Sequence, residues 1–128
     1  MANLELVRDF YQALWDRDYE AFTGLCDPEL EWIQNEGFPY GGRHHGAAAV
    51  VAGVFRTLAK HWDPWGFALQ EMLDAGDSIV VLGEYTGRHK ATGKSFQAAT
   101  AHILDIRNGR VHRFRQYTDT ALIRDATV

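Results

Sequence analysis

The sequence lacks several features that would restrict its function at once. Among its 128 residues there are three prolines and one cysteine, Cys26. A single cysteine excludes an internal disulfide bond and a zinc site built from cysteine ligands. Basic residues are not in excess: the chain has 13 Lys and Arg and 17 Asp and Glu, which gives a formal net charge of −4. That balance argues against a nucleic-acid partner, which normally requires a basic surface.

Long apolar segments are also missing. No apolar run approaches the ~18 residues of a membrane span, and the first residues lack the basic flank and apolar core of an export signal. We therefore expect no membrane partner and a cytoplasmic location. The composition that remains, 46% hydrophobic and 23% charged, is typical of a globular protein, and the length fits a single domain over residues 1–128.

The spacing of the apolar residues predicts an α+β fold. Steps of three and four residues predict helices over residues 4–15, 18–25 and 46–60, the first two with Asn3 and Asp18 as N-caps. A short strand and four longer ones with period-two alternation are predicted over residues 30–34, 67–73, 78–88, 95–106 and 111–119. Residues 35–45 are predicted to form a glycine-rich loop. A curved antiparallel sheet that packs against the three N-terminal helices would enclose a pocket.

Polar residues on the last hairpin form a candidate site. Asn108-Gly109 is a strong signal for a two-residue turn, and the register that follows from it puts His102 opposite Arg115. The same register places Tyr117 and Asp119 on the face that carries His102, because side chains alternate along a strand. Directly opposed residues lie about 5 Å apart, so His102, Arg115 and Asp119 could reach one small ligand. Together these groups support proton transfer; the alternative is a solvated rim or a structural ion pair.

Several stretches resemble one known family. They are residues 10–14 (Phe-Tyr-Gln-Ala-Leu), 30–32 (Leu-Glu-Trp), 46–50 (Gly-Ala-Ala-Ala-Val), 108–111 (Asn-Gly-Arg-Val) and 113–120 (Arg-Phe-Arg-Gln-Tyr-Thr-Asp-Thr). With the order of the elements, they resemble the SnoaL-like family of the nuclear transport factor two and ketosteroid isomerase-like superfamily, over about residues 4–122. The resemblance implies a cone-shaped sheet with a mixed edge, a pocket for small and mostly apolar molecules, and dimerisation through the sheet.

The resemblance also implies roles for single residues. Asp119 matches the aspartate that serves as acid or base in the polyketide cyclases, and His102 lies close to a pocket position of the same family. The catalytic tyrosine of ketosteroid isomerase falls on Phe10, and its general-base aspartate falls near Gln34 or Asn35. Steroid isomerisation by that mechanism is therefore not expected. The charged network of the related epoxide hydrolases is also missing around residues 84–86.

Further side chains are expected to bind the substrate. Trp32 is expected in the pocket wall, with plain core packing as the alternative, and Tyr40 in the glycine-rich loop is expected to serve as a lid. Whichever of Glu84 and Tyr85 points inward would line the pocket, and we favour Glu84. The expected substrate-binding residues are Arg115, Tyr117, Trp32, Tyr11, Phe10, Glu84 and Tyr40.

Two functional hypotheses follow. The first is a cofactor-independent acid/base enzyme of the cyclase, isomerase or hydrolase type that acts on an apolar, carbonyl-bearing metabolite. In it Asp119 exchanges the proton, while His102 and Arg115 either hold the enolate oxygen or tune the pKa of the aspartate. The alternative is a non-catalytic ligand-binding or dimerisation module of the same fold.

Two expectations are common to both hypotheses. No metal or cofactor is expected, because the adjacent histidines His44 and His45 lack the spacing of a metal-ligand pair. A homodimer is expected through the outer face of the sheet. The residues expected on that face are Ala99, Ala101, Ile103 and Phe114.

Overall fold

The computed structural model describes residues 2–128. Two helices, α1 (Asn3–Trp15) and α2 (Tyr19–Leu25), precede two strands, β1 (Cys26–Gln34) and β2 (Gly42–His45). A helical segment follows, formed by α3 (Ala47–Val50), a π-helical turn (Val51–Phe55) and α4 (Arg56–His61). The remaining elements are β3 (Trp62–Asp74), β4 (Ser78–His89), β5 (Ser95–Arg107), β6 (Arg110–Thr118) and α5 (Thr120–Asp125). No helix within residues 2–128 is long and apolar enough to cross a membrane.

The six strands form one open, mixed sheet in the order β2-β1-β6-β5-β4-β3. β1 pairs with β6 in parallel, and the other neighbours are antiparallel. This confirms the α+β fold and the mixed edge. The structure adds β2, which lies inside the predicted loop, and α5, which follows the last strand. Both are short, and β2 owes its strand conformation to pairing with β1 rather than to an apolar pattern of its own.

Helix capping agrees with the sequence at α2 and differs at α1. The side chain of Asp18 accepts a hydrogen bond from the backbone N–H of Ala21 at 3.1 Å, so Asp18 caps α2 as predicted. The prediction for Asn3 was wrong, because α1 already begins at this residue and Ala2 precedes it without a side-chain cap. The Asn3 amide donates instead to the backbone carbonyl of Gly76, which ties the start of α1 to the β3–β4 turn.

The β5–β6 hairpin begins in the predicted register and then departs from it. The Asn108-Gly109 turn and the first two residue pairs beside it are as predicted. A β-bulge next to Ile106 then shifts the register, because β6 contributes one extra residue there. Beyond the bulge, His102 pairs with Gln116 and not with Arg115.

This shift reverses which side chains of β6 point inward. Phe114 and Gln116 are buried on the inner face, whereas Tyr117 is 50% exposed and Arg115 lies on the outer face beside it. The prediction that Arg115 and Tyr117 share a face with His102 was therefore wrong. Phe114, predicted on the outer face, belongs to the core.

The outer face of the sheet carries an ion-pair cluster. The buried carboxylate of Asp105 accepts hydrogen bonds from Ser78 Oγ at 2.5 Å and Arg113 Nε at 2.6 Å, with Arg115 at 3.4 Å. Burial raises the pKa of Asp105, but the hydrogen bonds from Ser78 and Arg113 outweigh burial and lower it overall. The outer side of β5 also carries Ala99, Ala101 and Ile103. A homodimer through this face stays a prediction.

The core between the inner face of the sheet and the helices is rich in aromatic side chains. Phe10 of α1 is fully buried, with its ring centroid 6.2 Å from those of Trp32 and Phe114. The Trp32 and Phe114 rings stack on one another at 3.7 Å. Burial also raises the pKa of the Cys26 thiol to about 12, so this cysteine stays protonated and unreactive. This core supports the floor of the cavity described next.

Candidate functional site

A cavity of about 530 Å³ opens between α1, the helical segment from α3 to α4, and the inner face of the sheet. Its volume is in the range of known small-molecule sites. Ten aromatic side chains contribute to its wall: Tyr11, Tyr19, Trp32, Phe38, Phe55, Trp62, Trp65, Phe67, Tyr85 and Phe114, and Trp15 adds a further, partly exposed ring. Val54 and Phe55 of the π-helical turn form part of the wall. The wall therefore suits a flat, apolar ligand.

His102 is the central polar residue of the cavity. It lies on β5, is 3% exposed, and contacts a tyrosine hydroxyl with each ring nitrogen. Nδ1 is 2.6 Å from the hydroxyl of Tyr11 on α1, and Nε2 is 2.7 Å from the hydroxyl of Tyr85 on β4. Burial lowers the pKa of His102 to about 3, because the buried ring loses the water that would stabilise its charged form. His102 is therefore a neutral imidazole at ordinary pH.

Two glutamines extend this contact into a chain of hydrogen bonds. The indole N–H of Trp32 donates to Gln34 Oε1 at 3.1 Å. Because an indole nitrogen only donates, this contact fixes which end of the Gln34 amide is the oxygen. Gln116 Nε2 then donates to Gln34 Oε1 at 3.5 Å and to the Tyr85 hydroxyl at 3.1 Å. Trp32 and Gln116 thus both donate to Gln34, and Gln116 also donates to Tyr85.

The direction of this chain is consistent with one tautomer of His102. Since the Tyr85 oxygen accepts from Gln116, its own hydrogen is available for Nε2 of His102, and such chains strengthen cooperatively. With Tyr85 as the donor to Nε2, the neutral ring carries its proton on Nδ1 and donates it to the Tyr11 oxygen. The hydroxyl hydrogen of Tyr11 is left for a ligand. Burial, together with Tyr85, raises the pKa of Tyr11, so this hydroxyl stays protonated.

Charged residues lie at the open end of the cavity. Arg17, Arg56 and Lys90 contribute to its wall and are exposed, and Lys90 Nζ donates to the carbonyl of Ala59 at 2.9 Å. Within residues 2–128, Asp63 is the one carboxylate on the cavity wall, and it is exposed. The same part of the chain holds no cluster of three or more metal-ligating side chains.

Comparison with known proteins places this fold in a family. The SnoaL-like domain model matches residues 7–114. The chain belongs to the SnoaL-like family. Its fold is also that of an NTF2-like protein from Burkholderia thailandensis, at 36% identity and a TM-score of 0.94 over 97% of this chain and 95% of that one. An NTF2-like protein of unknown function from Burkholderia pseudomallei matches over 100% of both chains, at 30% identity and a TM-score of 0.89.

A more distant structure is that of TerC, which was co-crystallised with polyporic acid. It has 24% identity to this SnoaL-like chain and a TM-score of 0.86, over 97% of this chain and 96% of that one. At this identity the likeness shows the fold alone. The resemblance expected from the sequence is therefore confirmed, and no specific activity follows from it.

The structure brings three of the predicted site residues together. Tyr11, Trp32 and His102 all line the cavity. Phe10 does not, because it lies one residue from Tyr11 on α1 and packs behind the cavity in the core. Tyr40 is also outside the cavity wall, where its hydroxyl accepts a hydrogen bond from the Trp62 indole.

The other predicted site residues lie away from the cavity. Glu84 points to the outer face and accepts a hydrogen bond from Gln97 at 2.6 Å. Arg115 and Tyr117 are on the same outer face because of the β-bulge. Asp119 is exposed between β6 and α5 and makes no side-chain cap. Asp119 is thus not among the residues of the cavity wall that carries His102, and a ligand shared by the two stays a prediction.

Two polar residues of the site, Gln34 and Gln116, were missed, and Tyr85 was weighed only as the less favoured alternative to Glu84. Tyr85 shares its inward orientation with Ile79 and Val81, so the alternation of β4 did contain a signal for it over Glu84. Gln34 shares a face with Trp32 by the same alternation. Gln116 carried no comparable signal, because its inward orientation depends on the β-bulge.

Proposed function

We propose that this SnoaL-like protein binds an apolar, carbonyl-bearing small molecule in the aromatic cavity and that Tyr11 donates a hydrogen bond to the carbonyl oxygen. The fold is one that commonly binds ligands or carries isomerase and cyclase chemistry. The observation that carries the proposal is the neutral His102, held between two tyrosine hydroxyls at the floor of a cavity with aromatic walls. A hydroxyl that is buried, protonated and oriented by a fixed neighbour is a preorganised donor.

The chemistry that fits this donor is enolisation of the bound carbonyl compound. A base removes a proton from the carbon next to the carbonyl, and the electron pair of that C–H bond forms a carbon–carbon double bond. The π pair of the carbonyl moves to oxygen, where Tyr11 stabilises the negative charge that develops. Return of a proton to the same carbon exchanges its hydrogen. Where a further carbon–carbon double bond is conjugated with the enolate, return of the proton at the far end of that system completes an isomerisation without a cofactor. Asp63 is our candidate for the base, because it is the carboxylate on the described cavity wall. His102 is a positioning residue, since its pKa of about 3 makes it a weak base.

A non-catalytic binding module is the second candidate. It is favoured by the exposure of Asp63 and by the position of Asp119 outside the cavity, because no buried carboxylate of residues 2–128 then lines the cavity. Under this candidate the protein holds the same class of molecule through the same Tyr11 contact and releases it unchanged.

A thermal-shift screen with polycyclic ketones, followed by proton exchange, separates the two candidates. A ligand at about one hundred times its Kd adds roughly 2.7 kcal/mol to the free energy of unfolding, a shift of several degrees in Tm. Any hit is then incubated with the protein in D2O, and deuterium incorporation next to its carbonyl is followed by NMR. Incorporation supports the enzyme, and binding without incorporation supports the binding module.

Four variants assign the roles. Tyr11→Phe should slow exchange about 10²- to 10³-fold, the usual effect of removing one oxyanion donor, whereas Tyr117→Phe on the outer face should leave the rate unchanged. Asp63→Asn should abolish exchange, and Asp119→Asn is its matched control. Loss of exchange in Asp119→Asn with full activity in Asp63→Asn would contradict our assignment of the base and return it to Asp119.

A further inference from the structure

Three cationic side chains surround the open end of the cavity. Arg17, Arg56 and Lys90, which we call the mouth cations, contribute to the cavity wall and are exposed. Asp63 is the one carboxylate on that wall within residues 2–128, so the cations outnumber it three to one. The whole chain has a formal net charge of −4, so this excess of positive charge is local. An opening lined by charge of one sign attracts a ligand of the opposite sign.

No carboxylate of the described chain lies within ion-pair distance of the mouth cations. The ion pairs found within residues 2–128 use other basic side chains. Asp16 and Asp18 flank Arg17 in the sequence, but both have other partners. Asp16 accepts a hydrogen bond from the Gln12 amide at 3.0 Å, and Asp18 caps α2. The charge of the mouth cations is therefore available to a bound anion.

Packing holds the three cations around the same opening. The rings of Tyr19 and Phe55 stack at a centroid distance of 5.6 Å. Arg17 lies two residues before the first of these rings, and Arg56 directly follows the second. Lys90 Nζ donates at 2.9 Å to a backbone carbonyl of α4 that lies three residues after Arg56. Like charges held around one opening repel one another, and an anion bound there relieves that repulsion.

The backbone of Arg17 has a conformation that usually belongs to glycine. After α1 ends at Trp15, the N–H groups of Arg17 and Asp18 donate to the carbonyls of Leu14 and Ala13, at 3.1 and 2.9 Å. This pattern is a Schellman motif, and it places Arg17 in the left-handed region with φ of 56°. Glycine occupies that region without steric cost, whereas arginine does not. The fold therefore gives no reason for an arginine here, and its side chain at the cavity wall supplies one.

We propose that the mouth cations form an anionic subsite that binds a carboxylate of the ligand. A guanidinium group donates two parallel hydrogen bonds to a carboxylate, which makes arginine well suited to this role. The inference rests on the proposed function and narrows its substrate class to apolar carbonyl compounds that carry a carboxylate, with the carbonyl at Tyr11 and the carboxylate at the mouth cations.

Helix α1 sets the distance between the two ends of such a ligand. Tyr11 contacts His102 at the floor, and Trp15, which is 47% exposed, lies in the same wall one turn later, about 6 Å further along the helix axis. The Trp15 indole is held in place by its hydrogen bond to the backbone carbonyl of Phe67 at 3.1 Å. A bicyclic aromatic ring with the carbonyl at one end and the carboxylate at the other matches this arrangement.

Three matched probes test the subsite: 6-acetyl-2-naphthoic acid, its carboxamide and 2-acetonaphthone. The acid and the carboxamide have nearly the same shape, but only the acid is charged at neutral pH. Kd is measured for each by fluorescence titration. At an ionic strength of about 0.01 M, the wild type should bind the acid about three- to tenfold more tightly than the carboxamide, the range of a few exposed ion pairs. At about 1 M this preference should largely disappear, because the screening length falls to about 3 Å.

Variants assign the preference to the mouth cations. Arg17→Gly and Arg56→Gln should each reduce it about two- to threefold, and a triple variant that adds Lys90→Gln should abolish it while 2-acetonaphthone still binds. Arg17→Gly should leave Tm unchanged or raise it, because glycine fits the left-handed position. Arg110→Gln is the control and should retain the preference, because it removes a positive charge at the β5–β6 turn, outside the cavity wall.

The outcomes separate this subsite from the proposed function. Equal binding of the acid and the carboxamide by the wild type at low salt overturns the subsite and leaves the carbonyl site standing. A preference that is unchanged in both single variants, or that survives in a folded triple variant, does the same. Tyr11→Phe should weaken all three probes and keep the preference for the acid; binding of the acid that depends on the mouth cations but not on Tyr11 would contradict the carbonyl site alone. Failure of the wild type to bind any of the probes contradicts both proposals.

Discussion

Replacing His102 with glutamine should make the protein less sensitive to acid. The imidazole is buried between two tyrosine hydroxyls, and burial lowers its pKa from the ordinary 6.5 to about 3. The unfolded chain therefore binds more protons than the folded one between these two values. In the wild type, the free energy of unfolding must rise with pH across this window, and the contribution of His102 is complete above pH 6.5 and lost progressively as the pH falls toward 3.

The size of this effect follows from the difference in pKa. One group that titrates only in the unfolded state changes the free energy of unfolding by at most about 1.4 kcal/mol per pH unit. Between pH 7 and pH 5, protonation of His102 in the unfolded chain should therefore lower the free energy of unfolding of the wild type by about 2 kcal/mol. For a chain of this length that loss lowers Tm by roughly 6 to 10 °C. Glutamine at position 102 keeps a donor and an acceptor but does not titrate, so its variant lacks this part of the acid sensitivity.

Urea unfolding followed by tryptophan fluorescence measures the effect. Wild type and His102→Gln are compared at pH 7, 6 and 5, and the difference between their free energies of unfolding cancels the other titrating groups. We expect that difference to shrink by about 2 kcal/mol from pH 7 to pH 5. A difference that is constant with pH would refute the argument, because it would mean that His102 is protonated as easily in the folded state as in the unfolded one.

Three further substitutions test the packing around the site by denaturant unfolding. Phe10→Ala should lower the free energy of unfolding by about 3–5 kcal/mol, because the ring is fully buried; a loss below 1 kcal/mol would contradict its place in the core. Asp105→Asn should cost about 1–3 kcal/mol, because the buried carboxylate accepts a hydrogen bond from Arg113, and an unchanged stability would argue against that pair. Gly83→Ala should lower the free energy of unfolding by about 1–3 kcal/mol, because a Cβ there would overlap a backbone carbonyl oxygen of β3. Gly24→Ala is the control, because position 24 has open space around it. Equal effects of the two substitutions would contradict the strand packing.

Much of the fold could be predicted from local patterns. The helical spacing of α1, the alternation of β4 and β5 and the Asn108-Gly109 turn all reflect backbone preferences or the burial of one face, which the sequence carries directly. The parallel pairing of β1 with β6 and the short strand β2 depend on contacts between distant segments. Local patterns do not contain that information.

The site was harder to predict because one extra residue in β6 determines which side chains of this strand face the cavity. Regular alternation from Val111 would point Arg113 inward and Phe114 outward. The β-bulge reverses this, so that Phe114 enters the core and Arg113 pairs with Asp105 at the surface. The unfavourable burial of two arginines was a signal against the regular register, since charged side chains are rarely buried without partners. The same reversal removed Tyr117 from the cavity.

The infrared spectrum of a bound ketone tests the central claim most directly. With 2-acetonaphthone labelled with ¹³C at the carbonyl, a hydrogen bond from Tyr11 should lower the carbonyl stretching frequency in the wild type and in Tyr117→Phe. The frequency should return toward that of a ketone in an apolar solvent in Tyr11→Phe. The same frequency in wild type and Tyr11→Phe, with the probe bound to both, would contradict the assignment of Tyr11 as the donor to the ligand.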